Sequence, residues 1–418
     1  MKILFLTPQL PYPPNKGTAI RNFNIIKNLA ARHELWLLSF AGNSLRRGNE
    51  KGANGDLEHH LGVLRQLCRH VETVPSPRRD GWQRLATALF SPAPDLVLRL
   101  SSADFEEKLV RLLSAERFDV VQIEGLEMAR LWHNAWPRAR LQGRPWLVLD
   151  EHNAEYVLQR RAYQIDMGRP TRWIGAIYSF LQWVKLKRYE RRMCGCMDVV
   201  VAVSERDRQQ LLRLNPGARI EVVANGVDVG YFDELDFGDA ALGEASLVFT
   251  GTMDFRPNVD GVTWFAQAIW PRILRAVPEA RFYVVGRNPK PEVLGLERIP
   301  GIVVTGAVRD IRPFFKSAVL SIVPVRMGGG SRLKILEAMA ARVPILSTTM
   351  GAEGIDITPG VDIAIADEPE DFAREAVCLL RDPQRRAALA ARGRALVAAR
   401  YDWPAVVPAL DALYQGLG

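Results

Sequence analysis

Short apolar runs separated by long amphipathic segments recur from one end of the 418-residue chain to the other. In the first half they fall at residues 3–6, 35–40, 120–123, 146–149, 199–203 and 220–223. A second series follows at 247–250, 281–285, 302–304, 319–323, 345–347 and 363–365. A strand that is apolar on both faces must be covered on both faces, so this alternation predicts parallel sheets clad in helices, the α/β class. Between the two series lies an acidic, weakly periodic stretch at 233–244. Length and spacing together predict two doubly wound, Rossmann-like domains, 1–226 and 227–400, with a last helix at 401–418 that crosses back to the first. Such sheets bind ligands beyond the carboxyl ends of their strands, so the chemistry is expected in those loops and in a central cleft that the domains face.

Charge separates the two halves. Residues 1–228 carry 34 Lys and Arg against 24 Asp and Glu, whereas 229–418 carry 21 against 23. The excess therefore belongs to the first domain and points to an anionic partner meeting that half. Nucleic acid is not the expected partner, because the cations follow no nucleic-acid module and the second domain is net acidic. Four cysteines make no disulfide framework and predict a reducing, cytoplasmic setting. The opening MKILFLTPQLPYPP reads as a first strand and not a signal peptide, and the apolar-leaning stretch 173–184 falls short of the ~20 residues of a membrane span.

After the first strand a Pro-stiffened loop ends at Gly17 before a helical pattern, a setting that offers backbone N–H groups to a phosphate or sugar; a plain Pro-rich turn accounts for it equally. After the 146–149 strand stands Asp150-Glu151-His152-Asn153-Ala154-Glu155, where His152 can donate to a substrate hydroxyl, or the cluster can cap a helix. The segment from Pro324 to Ala340 carries the most chemistry. Gly328, Gly329 and Gly330 free the backbone, Ser331 opens a helix, and Arg332 and Lys334 lie in its first turn. Cations there oppose the helix dipole, and a bound diphosphate would relieve the conflict. Glu337, about one turn on, can accept from ribose hydroxyls. Gly251, Gly286 with Arg287, and Gly306 with Val308 end three successive strand patterns; each alone reads as an ordinary turn, but together they line one sheet edge where a base or diphosphate can approach the backbone.

These residues resemble a known family. Gly251-Thr252, Val284-Val285-Gly286, the glycine-rich loop with Leu336-Glu337-Ala338-Met339-Ala340, and Pro344 to Thr348 are similar to the donor domain of retaining glycosyltransferases of family 4, with the GT-B fold. Pro11 to Gly17, His152 to Glu155 and Ala202 to Glu205 fit the same family. The GGGSRLK loop is similar to that of bacterial exopolysaccharide sugar transferases. The resemblance implies transfer of a sugar from a UDP- or GDP-linked donor to a hydroxyl of a glycan or polyprenyl-diphosphate-linked acceptor, with no cofactor and no metal. It implies that His152 contacts the donor sugar and Glu337 the ribose. Gly17, Gly251, Arg256, Gly329, Gly330, Ser331, Arg332 and Lys334 are then expected at the diphosphate, and Gly286, Arg287, Val308 and Leu333 at the base and ribose. The chain departs from the family at three positions: Gly329 stands where a donor-sugar glutamate is usual, and Thr252 and Asp260 stand near the places of its cation pair. Arg332 and Lys334, helped by Arg256, are expected to replace those cations.

The acceptor is expected on the basic first domain, where 169–192 mixes aromatics with seven cations. Arg172, Trp173, Trp183, Lys185, Lys187 and Arg188 either form a peripheral contact with an anionic membrane or line an ordinary solvated helix. Two other functions fit the scaffold: a nucleotide-sugar 2-epimerase, which needs no acceptor, and a non-catalytic nucleotide-sugar-binding subunit.

Overall fold

The computed structural model describes every residue except 43–52, 81–85, 88–90, 169–172, 235–237, 329–331 and 418. The chain forms two compact units, one of Met1–Ala224 with Val407–Gly418, the other of Asn225–Val406.

In the first unit, β1 (Lys2–Thr7), β2 (Glu34–Ala41), β3 (His70–Pro75), β4 (Val120–Glu124), β5 (Trp146–Glu151), β6 (Val199–Ala202) and β7 (Ile220–Val222) form one parallel sheet in the order β3-β2-β1-β4-β5-β6-β7. The strands β4 and β6 are buried along their whole length, as apolar-both-faces segments must be. The order reverses between β1 and β4, which makes their carboxyl ends the switch point where α/β sheets bind ligands. Register sets Glu124 at the end of β4 opposite Asp150 of β5.

Four helices of this unit bear on function: α1 (Gly17–Leu29), α2 (Leu126–Ala135), α3 (Glu155–Met167) and α4 (Trp173–Cys196). Ser204 caps the helix Glu205–Leu214 by accepting from the Asp207 N–H at 3.1 Å. Glu190, the lone acid of the basic segment, is fully buried and accepts from the N–H groups of Glu155 (3.0 Å) and Tyr156 (2.8 Å), so it caps α3.

The second unit repeats the plan with β8 (Ser246–Thr250), β9 (Arg281–Val285), β10 (Ile302–Gly306), β11 (Leu320–Val323), β12 (Ile345–Ser347) and β13 (Ala364–Ile365), parallel in the order β10-β9-β8-β11-β12-β13. Its switch point lies between β8 and β11. There α5 (Arg256–Trp264) follows β8 and α6 (Leu333–Ala340) follows β11.

The last helix, α7 (Trp403–Gln415), begins in the second unit, and its residues from Val407 onward belong to the first. Its first turn places Trp403 against Gly226, where a Cβ would meet the indole at 2.6 Å, so any larger residue at 226 displaces the ring. Its later turns are fixed by Asp411, which pairs with His33 at 2.6 Å and Arg32 at 2.5 Å. Among the described residues no helix is long and apolar enough to cross a membrane.

Candidate functional site

The chemistry-bearing residues of the first unit gather where β4 and β5 end. His152 Nε2 lies 3.0 Å from Glu124 Oε2, and Glu124 is fully buried. Asp150, also fully buried, accepts from the Nε of Arg21 at 2.9 Å, and the same guanidinium donates to the carbonyls of Val223 (3.0 Å) and Ala224 (2.9 Å). Burial pulls the His152 pKa down, but the hydrogen bond to Glu124 and the charges of Asp150 and Glu124 outweigh it, so the net direction is up. Burial and the adjacent Asp150 push Glu124 up as well. The imidazole's Nε2 is thereby committed to Glu124. Its Nδ1 has no hydrogen-bond partner among the described residues.

Glu124, Asp150 and His152 bring three potential metal-ligand atoms within 4.8 Å of one another. The residues fit a guanidinium better than a metal: Arg21 already supplies the positive charge to Asp150, and His152 is committed to Glu124. Glu155, on the first turn of α3, is raised to about 7 by burial and by Glu127. Gly17 is the first residue of α1, at the other side of the β1/β4 switch point.

In the second unit the carboxyl ends of three adjacent strands are stitched together. The Gly251 N–H donates to Val285 O at 3.1 Å, Gly286 N–H to Gly306 O at 3.1 Å, and Met253 N–H to Arg287 O at 2.8 Å. A Cβ on Gly286 would lie 1.7 Å from the Gly251 carbonyl oxygen, so only glycine permits this approach. Val308 lies two residues beyond β10 on the same edge, half-buried.

Beside Gly251 stands Lys334. Its ammonium donates to Asn258 Oδ1 at 2.7 Å and sits 4.0 Å from the centre of the Phe249 ring. The Asn258 amide in turn donates to the Thr252 carbonyl at 2.9 Å. Burial, and then the charge of Arg332, pull the Lys334 pKa down to about 7; Glu337 opposes this weakly. Burial raises Glu337, with Lys334 acting against it, and its carboxylate has no hydrogen-bond partner among the described residues.

The helix α6 starts at Leu333, so Arg332 is its cap residue and not part of its first turn. Arg332 is buried and its guanidinium donates to Met350 O at 2.9 Å. Arg256 opens α5, half-buried. Gly329, Gly330 and Ser331 lie outside the described residues, as does Arg172.

On α4 the expected basic-aromatic residues separate. Trp173 is 62% exposed and Ile174 68%, with Ile177, Tyr178 and Phe180 also exposed, all in the first third of the helix. Lys187, Arg188 and Arg191 follow in the second half, exposed, while Lys185 is half-buried. Trp183 does not belong to the outward face alone: it is half-buried and stacks on Tyr163 of α3 at 6.2 Å. With Phe180 and Val184 it forms the apolar wall of a groove of about 450 Å³ whose other lining residues are Lys187, Arg188 and Arg191.

Three participants were not among the expected residues. Arg21 and Glu124 complete the His152 cluster, and Asn258 holds Lys334. Arg326, also outside the expected residues, pairs with Asp260 at 2.9 Å.

Residues 16–231 match the model of Glycosyltransferase Family 4, and 244–382 match that of Glycosyl transferases group 1. The chain belongs to glycosyltransferase family 4. This glycosyltransferase is similar to a 44.6 kDa protein of the cps region of Klebsiella pneumoniae, 20% identical with 90% of each chain covered. It is 27% identical to a GDP-mannose-dependent monoacylated alpha-(1-6)-phosphatidylinositol monomannoside mannosyltransferase of Corynebacterium glutamicum, over 35% of this chain and 41% of that one. Among solved structures, Anabaena Alr3699/HepE in complex with UDP and glucose matches the full length of both chains at 16% identity and a TM-score of 0.65. The glycosyltransferase thus has the GT-B fold of two Rossmann-like domains.

Proposed function

We propose that this glycosyltransferase moves a sugar from a nucleotide-diphosphate donor to a hydroxyl of a glycan or lipid-linked acceptor, with retention of anomeric configuration and without a metal, in surface polysaccharide synthesis. One observation carries the reading. Lys334 holds an ammonium at the β8/β11 switch point that burial and Arg332 have brought to about 7, with a neutral amide and a ring as its contacts. A diphosphate there would restore its charge, and the glycine-lined edge of β8 to β10 lets the nucleotide lie against the backbone. The work of such a site is stabilising charge on the departing diphosphate. UDP in the Anabaena structure and GDP-mannose in the Corynebacterium enzyme's name support a nucleotide-sugar donor of either base.

In this reading Glu337 takes the ribose and His152 the donor sugar, and Arg21 supplies charge that a metal would otherwise bring. The acceptor side is the outward face of α4. Its apolar first third suits a lipid interface and its cationic second half suits phosphates, which supports a peripheral position on an anionic membrane. His152→Ala and Glu337→Ala are each expected to lower transfer at least about tenfold with the fold intact, since each removes a contact made in the transition state. Wild-type rates in both, measured as nucleoside diphosphate released with acceptor present, overturn the assignment. Turnover of the nucleotide sugar without any acceptor would favour the 2-epimerase.

A further inference from the structure

The carboxylate beside His152 is the end of a buried chain that starts on the last helix. The Tyr414 hydroxyl donates to Gln122 Oε1 at 3.0 Å, the Gln122 amide donates to Glu124 Oε1 at 3.2 Å, and His152 Nε2 meets Glu124 Oε2 at 3.0 Å. Tyr414, Gln122 and Glu124 are each fully buried. Asn22 of α1 adds a donor to Glu124 Oε2 at 2.8 Å in the amide orientation that satisfies both of its ends. Both carboxylate oxygens are thus engaged, and the plane of the carboxylate is fixed. A packing role alone does not require this arrangement, because phenylalanine would fill the Tyr414 site without placing a hydroxyl against a buried amide. The bond from Tyr414 spans 292 residues of sequence and joins a helix far from the β4 and β5 loops to the one histidine among them.

We infer that Tyr414, through Gln122 and Glu124, is a positioning residue for His152: it locks the imidazole with its proton on Nε2 and turns Nδ1 toward substrate. The groups facing this chain are Asp150 of β5, Arg21 and Asn22 of α1 and, at Tyr414, Asp411 of the same helix and the His33 ring, edge-on at 6.4 Å. The inference rests on the reading that His152 serves the donor sugar, but its structural half stands apart from that reading. The C-terminal segment then has a task beyond closing the fold.

The test uses the full-length protein labelled with ¹⁵N-histidine, with His152→Ala identifying the resonance. In the wild type at about pH 8.5, neutral His152 is expected as the Nε2–H tautomer. Tyr414→Phe and Glu124→Gln are expected to move it toward a tautomer mixture. They are also expected to lower kcat about three- to tenfold while KM for the donor stays within about twofold, since one buried hydrogen bond is at stake. Asp411→Asn loosens the same helix, through the pairs with His33 and Arg32, and removes none of the hydrogen bonds from Tyr414 to His152. It should lower thermal stability and leave both the tautomer and kcat unchanged.

An unchanged tautomer in Tyr414→Phe overturns the inference, and so does an Asp411→Asn variant that mimics Tyr414→Phe. If His152→Ala transfers sugar at the wild-type rate, the functional reading fails while the tautomer measurement still decides the positioning claim.

Discussion

Nucleoside diphosphate binding should be coupled to proton uptake by Lys334. The free side chain titrates at about 7, against an ordinary value of 10.5. At about pH 8 it is then roughly one-tenth protonated, and a bound diphosphate that restores the ordinary value makes it fully so, an uptake of about 0.9 proton per site. At about pH 6 the uptake falls to about 0.1. Affinity is expected to weaken about tenfold per unit of pH above 7 by linkage. Calorimetric titration of UDP and of GDP at about pH 8, in two buffers of different ionisation enthalpy, reads the uptake directly. The higher pH is decisive because the second pKa of a terminal phosphate is near 6, so the ligand itself is fully ionised there. Lys334→Met should abolish the buffer dependence. Tight binding by the wild type with no proton uptake would refute the argument. The same shift acts on folding: below about 7 the lysine is charged in folded and unfolded chains alike and the burial penalty is complete. Between there and 10.5 the unfolded chain binds more protons, so stability gains with rising pH.

Two further outcomes follow from geometry. Gly286→Ala should lower the melting temperature and nucleotide affinity together, because its methyl would lie 1.7 Å from the Gly251 carbonyl and must part the ends of β8 and β9; unchanged melting would refute that close approach. Replacing Lys185, Lys187 and Arg188 with Glu should abolish co-sedimentation with anionic liposomes while transfer to a soluble acceptor analogue persists, and unchanged sedimentation would remove the membrane role of α4.

Most of the architecture was legible because parallel strands buried on both faces are written as short apolar runs. The exception, β3, pairs only with β2, and Val74 is its one buried residue. Its His-Val-Glu-Thr-Val-Pro alternation is the signature of a half-exposed edge, which the search for all-apolar runs passes over. The polar, Gly-rich stretch 41–56 reads in sequence as a surface loop, whereas the helix Ala53–Leu67 already begins inside it.

The sites were legible as positions and not as partnerships. That Lys334 follows a glycine-rich loop is visible in the chain, but that Asn258 receives its ammonium depends on β8 and β11 being neighbours. Glu124 carries a signal in retrospect: it ends an apolar run and precedes a glycine, as Asp150 ends the next run. Arg21 carries none, since nothing in a helix 129 residues upstream announces that it will meet Asp150. Nor can spacing along α4 show that the Trp183 ring turns back onto Tyr163.

The central claim is transfer from a nucleotide sugar with its anomeric configuration kept. The direct measurement incubates the protein with UDP- and GDP-linked sugars and a panel of glycan and lipid-linked acceptors, then reads the anomeric configuration of the product by NMR beside the nucleoside diphosphate released. The account predicts one nucleoside diphosphate per new glycosidic bond, acceptor-dependent, in the donor's own configuration. An inverted product, or an epimerised nucleotide sugar formed without acceptor, would contradict it.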